Sequence, residues 1–163
     1  MFVRGFAVGA LGVALWVAAP AAADDYPVAD GDYASVTDPG WVYFLSPQGY
    51  GGERDGQPVD QFGCGIGPDG TVGCDVVPHP VQIGAEPPTV VPAGANQTVA
   101  TPQQPAEYRH SDVLTFTRDV DVLPAGQQLR NGAAFCLVGE QGSVSCTTGE
   151  HGFTNYSVFG YTH

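Results

Sequence analysis

The residues of this chain best suited to chemistry are four cysteines, and their spacing is regular. Cys64-Gly-Ile-Gly-Pro-Asp-Gly70-Thr-Val-Gly-Cys74 and Cys136-Leu-Val-Gly-Glu-Gln-Gly142-Ser-Val-Ser-Cys146 are both Cys-x9-Cys, 72 residues apart, with Gly, Thr or Ser, Val, a small residue and Cys at matching offsets. Folding each segment about its midpoint sets Cys64 opposite Cys74 with Ile66 opposite Val72, and Cys136 opposite Cys146 with Val138 opposite Val144. Residues two apart on a strand share a face, so the cysteines and these apolar pairs lie on one side. The remaining Pro68-Asp69-Gly70 and Glu140-Gln141-Gly142 fit a hairpin loop made of a type I turn and a left-handed glycine. Each segment is therefore expected to be a β-hairpin closed by its own disulfide, although links between the hairpins would close longer loops. A four-cysteine zinc site is the competing chemistry, but such sites usually bring cysteines in close pairs two to four residues apart.

Other reactive residue types form weaker patterns. No Gly-x-Ser-x-Gly, His-Glu-x-x-His or phosphate-cradling loop is present. His110-Ser111-Asp112 has the residue types of a hydrolytic triad, but adjacent residues do not normally face one another in triad geometry, so a polar loop is expected there. His79, His110 and His151 would bind a metal only if the fold brought them together. Asp30-Gly31-Asp32, with Asp24 and Asp25, lacks the ordered ligand spacing of a calcium loop and reads as a solvated turn. His151 and Phe153, beside a glycine after the second hairpin, are the candidate binding residues, against the alternative that Phe153 fills core and His151 caps a turn. No catalytic residue, metal or cofactor is assigned.

Glycine and proline interrupt the sequence too often for amphipathic helices. Trp41-Val42-Tyr43-Phe44-Leu45, Val113-Leu114-Thr115-Phe116-Thr117 and residues 153–161 are aromatic and β-branched runs bounded by turn formers, and are expected as strands. The fold expected is all-β, a small sandwich or barrel-like domain with two disulfide-closed hairpins and little or no helix outside an export signal. The 72-residue offset also sets 41–45 against 113–117, which suggests an internal duplication. Residues 78–105 hold seven of fourteen prolines and read as a surface connector, with Thr89-Val90-Val91 at most an edge strand. Residues 24–40 are acidic and turn-rich, an arm expected to be loosely held, ahead of a single β domain over 41–163.

Arg4, the apolar stretch 5–17 and Ala21-Ala22-Ala23 have the make-up of a cleavable signal peptide over 1–23. The mature chain is expected to start near Asp24, with no membrane anchor after cleavage. It carries 17 acidic residues against four arginines, a net charge of −13 (4 − 17), with no lysine. Such a field repels phosphate backbones and anionic head groups, so nucleic acid is not an expected partner, while basic partners and cations stay open.

An aromatic strand followed by Ser46-Pro47 and Gly49, then Cys64, Gly70-Thr71-Val72-Gly73-Cys74, Leu129 and Gly132 before Cys136, and finally Gly142, Cys146, Gly149, His151-Gly152-Phe153 and Ser157, resembles a broad group of small secreted actinobacterial proteins of unknown function, of mycobacterial and nocardial type. The likeness covers about two-thirds of the mature chain. It implies export, paired-cysteine hairpins and β structure, and brings no activity or catalytic residue. Residues 50–62 depart from it, lengthening the link to the first cysteine. The function expected is that of a secreted, non-enzymatic binding or cell-envelope-associated domain acting on an unknown protein or envelope component. A small extracellular hydrolase and a metal- or cation-binding protein are the alternatives.

Overall fold

A computed structural model of the chain describes residues 26–78, 91–156 and 159–163. The first half contributes β1 (Val42–Leu45), β2 (Gly52–Arg54), β3 (Gln57–Val59), β4 (Gly63–Ile66), β5 (Val72–Cys74), β6 (Gln97–Thr101) and β7 (Gln104–Arg109). The second contributes β8 (Gln127–Asn131), β9 (Ala134–Gly139), β10 (Ser143–Thr148), β11 (His151–Tyr156) and β12 (Gly160–Thr162). No helix occurs among the described residues.

Both cysteine segments fold in the expected register, β4 on β5 and β9 on β10. Gly70 and Gly142 both have φ of +84°, the left-handed position the loops require. Disulfides join Cys64 to Cys74 and Cys136 to Cys146, with Cα separations of 4.1 and 4.0 Å. Directly opposed strand residues approach about this closely only at non-hydrogen-bonded pairs, where side chains point the same way.

Each hairpin is the centre of a five-stranded antiparallel meander, ordered β1-β4-β5-β6-β7 in one sheet and β8-β9-β10-β11-β12 in the other. The two sheets pack face to face as an open sandwich. Phe44, Ile66 and Val72 from the first meet Leu129, Val138, Val144 and Phe153 from the second in a single core that includes both disulfides. Five strands in the same order, with the disulfide on the second and third, make the halves topological equivalents.

The strand equivalent to β1 is β8, not residues 113–117. Val113 and Leu114 are exposed, and the backbone of 111–120 runs across the outer face of the first sheet without joining its ladder. The reason lies in Asp75, the residue after β5, which is fully buried. Its carboxylate accepts hydrogen bonds from the backbone nitrogens of Thr115 (3.1 Å), Phe116 (2.9 Å) and Thr117 (2.7 Å), so these three donors of the expected strand are already satisfied. Thr117 Oγ1 and Gln97 Nε2 donate to it as well, each at 2.7 Å. Phe116 is thereby pressed into a trough whose floor is glycine. A Cβ on Gly73 would lie 2.2 Å from the Phe116 ring and one on Gly65 3.2 Å. Tyr43 and Val99, in register on either side of those glycines, pack beside it.

Three further expectations change. Residues 153–161 are not one strand, because β11 ends at Tyr156 and β12 returns beside it. Part of the proline-rich stretch is sheet: β6 and β7 occupy 97–109, with Pro105 on the exposed edge strand where a missing donor costs nothing. Thr89 and Val90 lie outside the described residues. The arm over 26–40 is tied down, since Tyr33 is buried in the core, Tyr43 N donates to Tyr33 O at 2.8 Å, and Val28 bridges in parallel to Gln128. The extra residues between β1 and β4 form the β2–β3 hairpin.

Candidate functional site

A cavity of about 430 Å³ opens at the end of the second sheet. Four chain segments converge there. The β9–β10 turn supplies Glu140 and Gln141, and Ser143 follows at the start of β10. The turn is closely packed: a Cβ on Gly139 would fall 2.4 Å from Ser143 Oγ, and Tyr50 Oη donates to Gly139 O at 3.0 Å. Gly126, at φ +76°, donates its N–H to Val138 O at 2.7 Å and brings the chain leading into β8 against the same turn.

Tyr26 arrives from the arm. Gln128 holds it, donating its side-chain amide to Tyr26 O and its backbone N–H to Pro27 O. Tyr156 ends β11 opposite Ser143, and its ring stacks on Phe159 at 4.5 Å. Burial, together with Tyr161 beside its hydroxyl, pushes the Tyr156 pKa up, so the phenol stays protonated through the neutral range. The cavity thus combines two tyrosines, a carboxylate, an amide and a hydroxyl on strand ends and a tight turn. Among its described lining residues Glu140 is the one carboxylate, and none is basic. The paired carboxylates of glycoside hydrolysis are not assembled in this lining. What the set can do is present π faces, hydrogen bonds and one negative charge to a ligand.

A second, smaller cavity of about 270 Å³ lies beside 35–37 and Arg118. Arg118 is committed locally, donating to Asp38 Oδ2 at 3.1 Å and lying 4.6 Å over the Tyr43 ring. Burial raises the Asp38 pKa, but the Arg118 guanidinium and the Ser35 and Thr37 hydroxyls outweigh it and hold the carboxyl below its usual range.

Of the residues singled out in the sequence, Phe153 is 1% exposed and packs in the core opposite Cys146. His151 is half-buried at the start of the same strand, so of this pair only His151 reaches the surface. His110 Nε2 contacts Asp112 Oδ1 at 3.1 Å and its Nδ1 contacts Gly94 O at 2.8 Å. Both ring nitrogens are therefore used, while Ser111 Oγ donates to Val113 O at 2.9 Å, and no Ser-His contact forms. With an acceptor at each nitrogen the imidazolium is favoured, and Gly94 O and Asp112 raise the His110 pKa. His79, Asp24 and Asp25 lie outside the described residues. Among the described residues no three His, Cys, Asp or Glu side chains are grouped to hold a metal ion.

The sequence reasoning passed over Asp75, Arg118, Tyr26 and Tyr156. Asp75 and Arg118 act through contacts 40 or more residues away along the chain, which no local pattern encodes. For Tyr26 and Tyr156 the available signal was position alone, an aromatic just outside and just inside the ends of the elements. No protein-family model, curated protein or solved structure matches the chain.

Proposed function

We propose that this protein is a secreted, non-enzymatic binding domain whose recognition site is the cavity walled by Tyr26, Glu140, Gln141, Ser143 and Tyr156. The observation that carries the reading is the make-up of that cavity: Glu140, Gln141 and Ser143 on a disulfide-closed hairpin, flanked by the aromatic rings of Tyr26 from the arm and Tyr156 from β11, with a single carboxylate among the described lining residues. Export is supported by the pairing of all four cysteines in disulfides, which persist in oxidising compartments. The signal-like first residues agree with it. A partner in the cell envelope or the medium fits that location.

The test is affinity capture from envelope and medium fractions with the immobilised, oxidised protein, compared with a Gln141→Arg variant that fills the cavity mouth. Gln141 is exposed, so the variant is expected to fold. Saturable capture lost in Gln141→Arg and kept in His151→Ala supports the cavity. Capture lost in His151→Ala but kept in Gln141→Arg moves the site to the rim of the sandwich at β11.

A further inference from the structure

The ligand class follows from charge and ring chemistry at the same cavity, and so rests on the binding role proposed for it. We infer that the cavity receives a cationic side chain, the guanidinium or alkylammonium group of a basic protein partner, with Glu140 as its counter-charge and Tyr26 and Tyr156 as aromatic walls. Three observations converge. Tyrosine rings attract cations through their quadrupole and have no such attraction for anions. Among the described lining residues the one ionisable group besides them is a carboxylate, with no arginine to neutralise it there. The whole chain adds a formal charge of −12, a long-range field that draws cations to any concave surface and repels phosphate or carboxylate ligands.

Comparison of the two halves gives independent support. In the first sheet the position equivalent to Glu140 is Pro68, at the same place in its hairpin turn, and it packs against Gly40. That glycine matches Gly126 in having positive φ, +83° against +76°, and a Cβ on Gly40 would lie 3.3 Å from the Pro68 ring. Trp41 closes on the same turn, its indole 2.8 Å from a Cβ placed on Gly67. The first turn is thus closed by Pro68, Trp41 and the Asp69 side chain, with Asn131 Nδ2 of the second half donating to Gly40 O at 2.7 Å and Ile66 O at 3.0 Å. The carboxylate of the first turn, Asp69, accepts from Thr71 N at 3.0 Å and Thr71 Oγ1 at 2.9 Å, whereas Glu140 of the second, built on the same frame, lines an open cavity.

The test uses the oxidised protein, 15N-labelled, titrated with N-acetyl-argininamide and N-acetyl-lysinamide, with methyl glucoside as the neutral probe and acetate as the anion. The expected result is saturable shifts of the 139–143 amides with the two cationic probes only. Glu140→Gln is expected to weaken that binding about fivefold, and raising NaCl from about 50 mM to about 500 mM to weaken it further. Gln141→Arg, which brings its own guanidinium to the cavity, should abolish it. Shifts with methyl glucoside and none with the cations would overturn the charge assignment while leaving a binding cavity. Cationic shifts unchanged in Glu140→Gln would also overturn it. Cation-insensitive amides together with cavity-dependent capture refute this inference alone, whereas capture that ignores Gln141→Arg refutes the binding site itself.

Discussion

Asp75 shows how one side chain can decide the path of a ten-residue segment. A buried carboxylate is tolerated only when its acceptor sites are filled, and here three consecutive backbone N–H groups, a hydroxyl and an amide fill them. Its own carbonyl is held in turn by Arg54 Nε and Nη2 at 3.0 and 2.9 Å. Asp75→Asn exchanges one acceptor oxygen for an amide that faces donors. We expect it to destabilise the fold by about 3 kcal/mol in urea unfolding, with Trp41 fluorescence reporting release of the covering segment. A loss under about 1 kcal/mol would show that the carboxylate is dispensable. His110 supplies a pH-dependent counterpart on the surface. Its pKa is raised in the fold, so its stabilising contribution is present in full below the unfolded pKa and is lost as pH rises through the folded one. The melting-temperature difference between wild type and His110→Gln is therefore expected to be largest below the unfolded pKa of about 6.5 and to shrink as pH rises through the raised folded pKa. A difference that grows toward high pH would contradict the imidazolium assignment.

At the scale of elements the two disulfide hairpins offer a direct comparison. Each closes a loop of sequence separation 10, and all four cysteines are fully buried in one core. Replacing Cys64 and Cys74 together with alanine, or Cys136 and Cys146 together, should cost about 3 kcal/mol in either case from the lost loop constraint. Guanidinium titration of the two double variants checks this, and a gap of more than about 2 kcal/mol would mean that the halves are not mechanically equivalent. These hairpins were legible in the sequence because register, turn and cross-link are all encoded within eleven consecutive residues. β8 was not. Gln127-Gln128-Leu129-Arg130-Asn131 has one aliphatic residue, and it is a strand because β9 beside it supplies the ladder and Leu129 lands opposite Cys136. Residues 113–117 failed in the opposite sense, with strong β propensity overridden by a carboxylate 40 positions earlier. The cavity was illegible for the same reason, since Tyr26 and Tyr156 meet only after the arm has docked on β8.

For the whole molecule, equivalence of the halves does not make either one independent. The inner faces of both sheets are largely apolar, and Leu129, Val138, Val144 and Phe153 have Phe44, Ile66 and Val72 as their cover. A half that kept its disulfide would keep its hairpin but expose that face to water, at roughly 25 cal/mol for each Å² uncovered. The arm strengthens the dependence, because Val28 and Tyr33 reach from the start of the chain to β8 and to the shared core. A fragment of residues 121–163 with Cys136 and Cys146 oxidised is therefore expected to give collapsed amide dispersion in a proton–nitrogen correlation spectrum. A fragment of this size also falls near the limit, about 40 residues, below which a single layer rarely folds alone. Adding residues 26–120 in trans, oxidised at Cys64 and Cys74, should restore the dispersed spectrum and with it the cavity, whose wall at Tyr26 comes from the first fragment and whose turn at Glu140 comes from the second. A dispersed spectrum from 121–163 alone would mean that the second meander is a domain in its own right and that the first is an addition to it.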